Sequence, residues 1–195
     1  MPILDGRLVR LRALEPSDAE RAYTWINDAD VTHYLMARYP FSMTDEHNWL
    51  AEAAKGNSFQ DVRLAIETTD GKHIGITGLH RASPEDRAAE LGILVGEKDF
   101  WSQGYGTDAI LTLLRFAFHQ MNLHKVELGV FEFNDRGMAC YRKCGFIEEG
   151  RRREAHFQDG RYWDIVRMGV LRREFDALHG TAEAETLTTT PSAGG

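Results

Sequence analysis

The sequence has no long hydrophobic run. No stretch approaches the roughly 20 consecutive apolar residues that cross a bilayer. The opening residues, MPILDGRLVRLR, contain no apolar leader core. Neither a membrane partner nor a secretory leader is expected, and a cytoplasmic location is. Cysteine is scarce: only Cys140 and Cys144 occur, four apart in one predicted helix with no second pair. That spacing excludes a disulfide framework or a zinc ribbon, and no metal is expected. A basic excess is lacking too, with 23 Lys and Arg against 30 Asp and Glu and a net charge of −7. Nucleic-acid binders usually carry a basic face, so no nucleic-acid partner is expected. An acidic surface does concentrate amines, although many such surfaces serve solubility alone.

What remains is an ordinary globular composition, 43% hydrophobic and 27% charged. The 195 residues suffice for one domain with a well-formed core. Residues 6–12 alternate at period two and predict a strand, with Leu8 and the pair Val9 and Leu11 competing for the inward face. Pro16 and Asp18 open a helix with Ala19, Ala22, Tyr23 and Ile26 as its apolar stripe. A second helix follows, with Thr44 as its cap and Trp49, Leu50 and Ala53 facing inward. Strands are predicted at 62–67, 73–79, 89–95, 125–133, 151–157 and 162–171. Gly75 and Gly78 mark a bulge or a close backbone approach in the second of these. Helices are predicted at about 104–119, 136–143 and 172–179. The order predicts a mixed α/β (α+β) layer fold, its sheet mostly antiparallel with one β-α-β crossover at the centre. The domain is expected over 1–179. Residues 180–195 are too poor in apolar groups to order themselves and predict a disordered tail.

The crossover carries the chemistry. Its turn, Trp101-Ser102-Gln103-Gly104-Tyr105-Gly106-Thr107, is poor in bulky side chains where a helix begins. A helix start offers free N–H groups and partial positive charge, which suit a phosphate. Glycine pairs at turns are common, so the pair alone is weak. A Walker loop is excluded because its Lys is missing. Gly104-Tyr105-Gly106-Thr107-Asp108-Ala109 matches the dinucleotide fingerprint, with Glu127 about 20 residues on. An intervening connector and the surrounding hairpins rank that reading second.

The segment from Glu90 to Thr107 resembles the acetyl-CoA-binding region of the GCN5-related N-acetyltransferase (GNAT) superfamily. The resemblance is to the branch with ribosomal-protein N-terminal and spermidine acetyltransferases. A second segment, Asn134-Asp135-Arg136-Gly137-Met138-Ala139-Cys140-Tyr141-Arg142-Lys143-Cys144-Gly145-Phe146, is similar to the family's N-x-x-A/S-x-x-x-Y-x-K-x-G-F pattern, with Ala139 displaced. The element order agrees over roughly residues 6–171. Trp101 stands where the wider superfamily often has Arg or Gln, as is usual in this branch.

The resemblance implies acetyl-CoA as co-substrate and a V-shaped splay between the two central strands. Ile93, Leu94 and Val95 would pair with the pantetheine amides. Gln103, Gly104, Tyr105, Gly106 and Thr107 would hold the pyrophosphate, and the Asn134 amide would bond the pantetheine arm. Tyr141 would protonate the departing sulfur. Glu90 is the first candidate base, with Asp164 and His156 as others and direct loss to water as the alternative. Acceptor contacts are expected from the early helices and the last hairpin, where His33, Tyr34, Tyr39, Phe157 and Asp164 lie. The aromatic residues among them suit packing as well as a pocket. The implied reaction is acetyl transfer to a protein N-terminal amine, a polyamine or another small amine. A non-catalytic acyl-CoA-binding module is the alternative of a different class. Branch members often form dimers, so a homodimer is also implied.

Overall fold

Alternation along the chain builds one sheet. The computed structural model describes residues 4–53 and 56–180. The expected tail therefore lies outside the described residues apart from Gly180, as do residues 1–3 of the expected domain. The strands are β1 (Leu4–Asp5), β2 (Val9–Ala13), β3 (Val62–Thr68), β4 (His73–Ser83), β5 (Ala88–Val95), β6 (Lys125–Phe131), β7 (Ile147–Gln158) and β8 (Arg161–Leu171). Their spatial order is β1-β2-β3-β4-β5-β6-β8-β7. On β2 the competition resolves cleanly: Val9 and Leu11 are buried, and Leu8 is 38% exposed. The β7–β8 hairpin turns at Asp159 and Gly160, both with positive φ, as its tight turn requires. Gly75 marks a close approach, since a Cβ there would run into the Leu94 carbonyl. The register shift in β3 lies beside it, between Ile66 and Glu67.

The helices are α1 (Ala19–Ile26), α2 (Ala29–Thr32), α3 (Met43–Ala53), α4 (Tyr105–His119), α5 (Asp135–Lys143) and α6 (Arg172–His179). The short β1 and α2 carry too few residues to show a period in sequence. In α1 the large buried residue is Trp25, while Tyr23 and Ile26 are only partly covered. The cap of α3 is Ser42, not Thr44. Ser42 Oγ accepts from Asp45 N–H at 3.0 Å, and the Asp45 carboxylate accepts from Ser42 N–H at 3.1 Å. Trp49 does not face inward; it is 38% exposed, and Arg63 lies 5.9 Å from its ring centroid. α4 lays Ala109, Ile110, Leu113, Leu114, Ala117 and Phe118 on the sheet, all buried. Each large side chain so covered contributes about 1.5–3 kcal/mol.

One ladder is much shorter than its strands. β5 and β6 run parallel but pair only through Ala88–Lys125, Ala89–Val126 and Glu90–Glu127. Beyond them β5 stays with β4 as far as Val95, and β6 stays with β8 as far as Phe131. The two strands part, and a wedge opens in the sheet. β5–β6 is the one parallel pairing among the described strands. The parallel sheet of a dinucleotide fold is thus not formed. Glu127, which that reading would place on a ribose, pairs with Arg167 and Lys125.

Candidate active site

Two cavities flank the wedge. The smaller, about 370 Å³, is walled by Ile93, Leu94 and Val95 of β5, by the turn before α4, and by the start of α5. The turn takes its shape from two left-handed residues, Ser102 (φ 59°) and Gly104 (φ 93°). Gly104 suits that geometry because it has no Cβ to clash. It is also the N-cap of α4, so the N–H groups of the first helical turn have no partner within the helix. Gly104, Gly106 and Thr107 line the cavity, and Arg136 and Lys143 add cationic charge opposite them. An anionic group at the helix start and an amide-bearing arm along β5 fit this wall.

Several expected contacts take a different form. Trp101 Nε1 donates to the Val95 carbonyl at 2.7 Å, so that backbone acceptor is already taken. The Gln103 side chain folds back to donate to the Asp99 carbonyl. Tyr105 packs edge-on against Phe100 at 4.9 Å. Neither Gln103 nor Tyr105 is among the residues that wall this cavity. Asn134 caps α5 and accepts from Gly137 N–H at 2.8 Å, which leaves its NH₂ group for the cavity.

Two residues that the motif reading passed over shape this side. The buried Asp108 carboxylate accepts from the N–H groups of Leu8 at 2.7 Å and Val9 at 3.1 Å. It ties the first turn of α4 to the opening strand. Arg136 lies over the Trp101 ring, 4.0 Å from its centroid, and 5.1 Å from that of Tyr34. Both rings line the same cavity. A basic residue inside the second motif was the available signal for Arg136.

Tyr141 is common to the walls of both cavities. Burial pushes its hydroxyl well above the usual phenol range, and the Cys140 and Cys144 thiols add to the shift. It is therefore a protonated phenol at neutral pH. The neighbouring Cys140 thiol is drawn down to about 7, first by the Cys144 thiol and, against burial, by Thr107 Oγ1 at 3.2 Å. Cys144 moves the other way, because it hydrogen-bonds Cys140 and is buried. Both cysteines are free.

The larger cavity, about 640 Å³, lies on the other side of the wedge. Its walls combine β5, β6 and β8 with Tyr34, Leu35 and Met36. Glu90 is here, but its carboxylate meets Arg81 at 2.5 Å and Arg167 at 3.1 Å. Of the five expected acceptor residues, only Tyr34 is in this wall. His33 packs on Tyr34 and Phe133, and its Nδ1 takes a 2.7 Å hydrogen bond from Gln158. Tyr39 is 80% exposed and Phe157 packs on Tyr162. Asp164 braces the hairpin by accepting from Glu154 N–H at 2.9 Å. His156, the further candidate base, is buried against Phe131 with both ring nitrogens engaged, by Arg38 and Gln158. No local pattern marked Arg81, Arg152 and Arg167, because they come from three different strands, β4, β7 and β8, that the sheet brings to one wall.

Comparison with known proteins agrees with this geometry. Residues 8–147 match the family model described as an acetyltransferase (GNAT) domain. A spermidine N(1)-acetyltransferase from Vibrio cholerae is 29% identical over 165 residues, covering 85% of this chain and 94% of that protein. YdaF of Bacillus subtilis, whose name assigns it provisionally to ribosomal N-acetylation, is 28% identical over 176 residues, covering 86% and 93%. The crystal structure of a V. cholerae spermidine N-acetyltransferase with CoA and spermine superposes with a TM-score of 0.78 at 28% identity. It covers 86% of this chain and 98% of that one. Among the described residues no long apolar helix suited to crossing a membrane occurs, and no cluster of metal-ligating side chains does. The family match spans both motifs, the wedge and the turn before α4, and the chain belongs to the GNAT acetyltransferases, acyltransferases that use acetyl-CoA.

Proposed function

We propose that this protein moves an acetyl group from acetyl-CoA to the primary amine of a small molecule by direct attack, with Tyr141 as the acid. The observation that carries the reading is Tyr141 itself. A protonated phenol stands where the two cavities meet. Acetyl-CoA supplies an activated carbonyl with a thiolate leaving group. The turn from Ser102 to Thr107 and the guanidinium of Arg136 hold the phosphates. The edge of Ile93, Leu94 and Val95 orients the pantetheine arm, with the Asn134 NH₂ group beside it. As the amine nitrogen bonds the carbonyl carbon, the carbon–sulfur bond breaks and the Tyr141 proton passes to sulfur. The amine's own proton leaves through water in the open larger cavity, and water returns a proton to the Tyr141 phenolate.

Glu90 is best read as a positioning residue. Both of its carboxylate oxygens are engaged, by Arg81 and Arg167, and it holds Arg167 in the wall of the larger cavity. The resemblance and the named relatives support an amine acceptor; one of those names specifies spermidine and the other ribosomal N-acetylation. The test is thiol release from acetyl-CoA with a panel of primary amines. One thiol per N-acetylated product is expected. Tight CoA binding with no thiol release from any amine would return the non-catalytic module.

A further inference from the structure

The larger cavity is balanced in charge. Three carboxylates, Asp86, Glu90 and Glu127, and three guanidiniums, Arg81, Arg152 and Arg167, share its wall. The carboxylates are mostly spoken for. Glu90 meets Arg81 through one oxygen and Arg167 through the other. Glu127 does the same with Arg167 at 3.1 Å and Lys125 at 3.3 Å. Asp86 accepts from Ser83 Oγ at 3.0 Å at the exposed end. Arg152, by contrast, has no ion-pair partner among the described residues. The wall charges without an ion-pair partner among the described residues are therefore Arg152 and, at the exposed end, Asp86.

A polyamine keeps further ammonium groups after one nitrogen reacts, and each needs a carboxylate with a free oxygen. Glu90 and Glu127 have none to give without breaking two ion pairs apiece, which leaves Asp86 at the exposed end for one ammonium and none for a second. An amine that brings its own anion finds a partner for it, because Arg152 is free to form a charge-assisted hydrogen bond. Around these groups Met36, Leu91, Phe131 and Ile165 supply an apolar wall for a short hydrocarbon body. The volume of about 640 Å³ is in the range of small-molecule sites.

Resting on the transferase reading above, we propose that the acceptor is a small primary amine carrying its own carboxylate or phosphate, and that Arg152 recognises that anion. The amine reacts at Tyr141, and the anionic end selects the substrate. Arg152 stands to the acceptor as Arg136 stands to the cofactor.

The test compares matched acceptors: amino acids with their carboxamides, aminoalkyl phosphates with their alcohols, and spermidine and spermine alongside. The carboxamide has the less basic amine, so a preference for the carboxylate works against intrinsic reactivity. We expect kcat/KM to favour one anionic series by about tenfold over its neutral partner, mainly through KM. Arg152→Gln should bring that ratio close to one, and Arg152→Lys should keep part of it. The arm that shows the ratio decides between carboxylate and phosphate. Faster turnover of spermidine or spermine than of every anionic amine would overturn the proposal, as would a ratio that Arg152→Gln leaves intact. If no amine releases thiol, the transferase reading fails separately. The cavity is then judged by melting temperature. A rise with an anionic amine in the native protein, absent in Arg152→Gln, supports the proposal; no rise in either overturns it.

Discussion

The two sides of the wedge are built from different materials. The smaller cavity is built around backbone features: one strand edge, one helix start and the turn between them. Those parts come from a single continuous stretch of chain, with α5 and the residues Val31, Tyr34 and Leu35 completing the wall. The larger cavity is walled by side chains from β4, β5, β6, β7 and β8 and the segment after α2. A backbone wall recognises what all substrates of a family share. A side-chain wall recognises what distinguishes one from another, and it changes with single substitutions while the strands beneath stay in place. In the proposed reaction the first side holds the common cofactor, and the second the particular acceptor.

The sharpest way to break this division is at Tyr141, the phenol both sides share. Tyr141→Phe should lower kcat by about 100-fold or more and leave the KM for acetyl-CoA near its native value. Because burial raises the phenol's pKa, the acid form persists as pH rises, and the native enzyme should show no falling limb in kcat below about pH 10. Unchanged kcat in the phenylalanine variant would remove Tyr141 from the chemistry.

A smaller effect is expected on the backbone-built side from Asp108→Ala. It strands the Leu8 and Val9 N–H groups and should cost about 2 kcal/mol. In thermal unfolding that is a fall of roughly 6 °C, with acetyl-CoA recovering part of it. A loss in acceptor KM with no change in melting temperature would mean that the two sides are not separately supported. The smallest effect is expected from Arg136→Ala, which should raise the KM for acetyl-CoA by about tenfold at low salt and less at high salt. A rise in acceptor KM instead would place Arg136 on the wrong side of the comparison.

The same contrast explains how much was legible in the sequence. The strand alternation, the α4 start and the Asn134-to-Tyr141 spacing are local patterns, and each appears in the structure at or near its expected place. The exceptions are also local in cause. Thr44 was a plausible cap by residue type, but Ser42 pairs with Asp45 to make the reciprocal one. Trp49 followed the helical period, but nothing covers that face of α3 fully. The acceptor wall could not be read because its residues are joined only by the sheet. Arg152 belongs to a run of three arginines that looks like a solvated face. Its neighbours in the cavity are set by the pairing of Arg152 with Ile165 and by the parting of β5 from β6. His33, Tyr39, Phe157 and Asp164 lie near residues of this wall in sequence, but β7–β8 register and loop packing point them elsewhere.

The three-pair ladder between β5 and β6 has a consequence for the life of the protein in a cell. A sheet that stops pairing halfway leaves a seam, and the cofactor's amide arm is the natural filler of that seam. Any molecule that binds only the folded chain stabilises it, by about 2.7 kcal/mol when present at a hundred times its dissociation constant. The fold's durability is then tied to the supply of acetyl-CoA. Acetyl-CoA should therefore raise the chain's melting temperature and slow its proteolysis in solution.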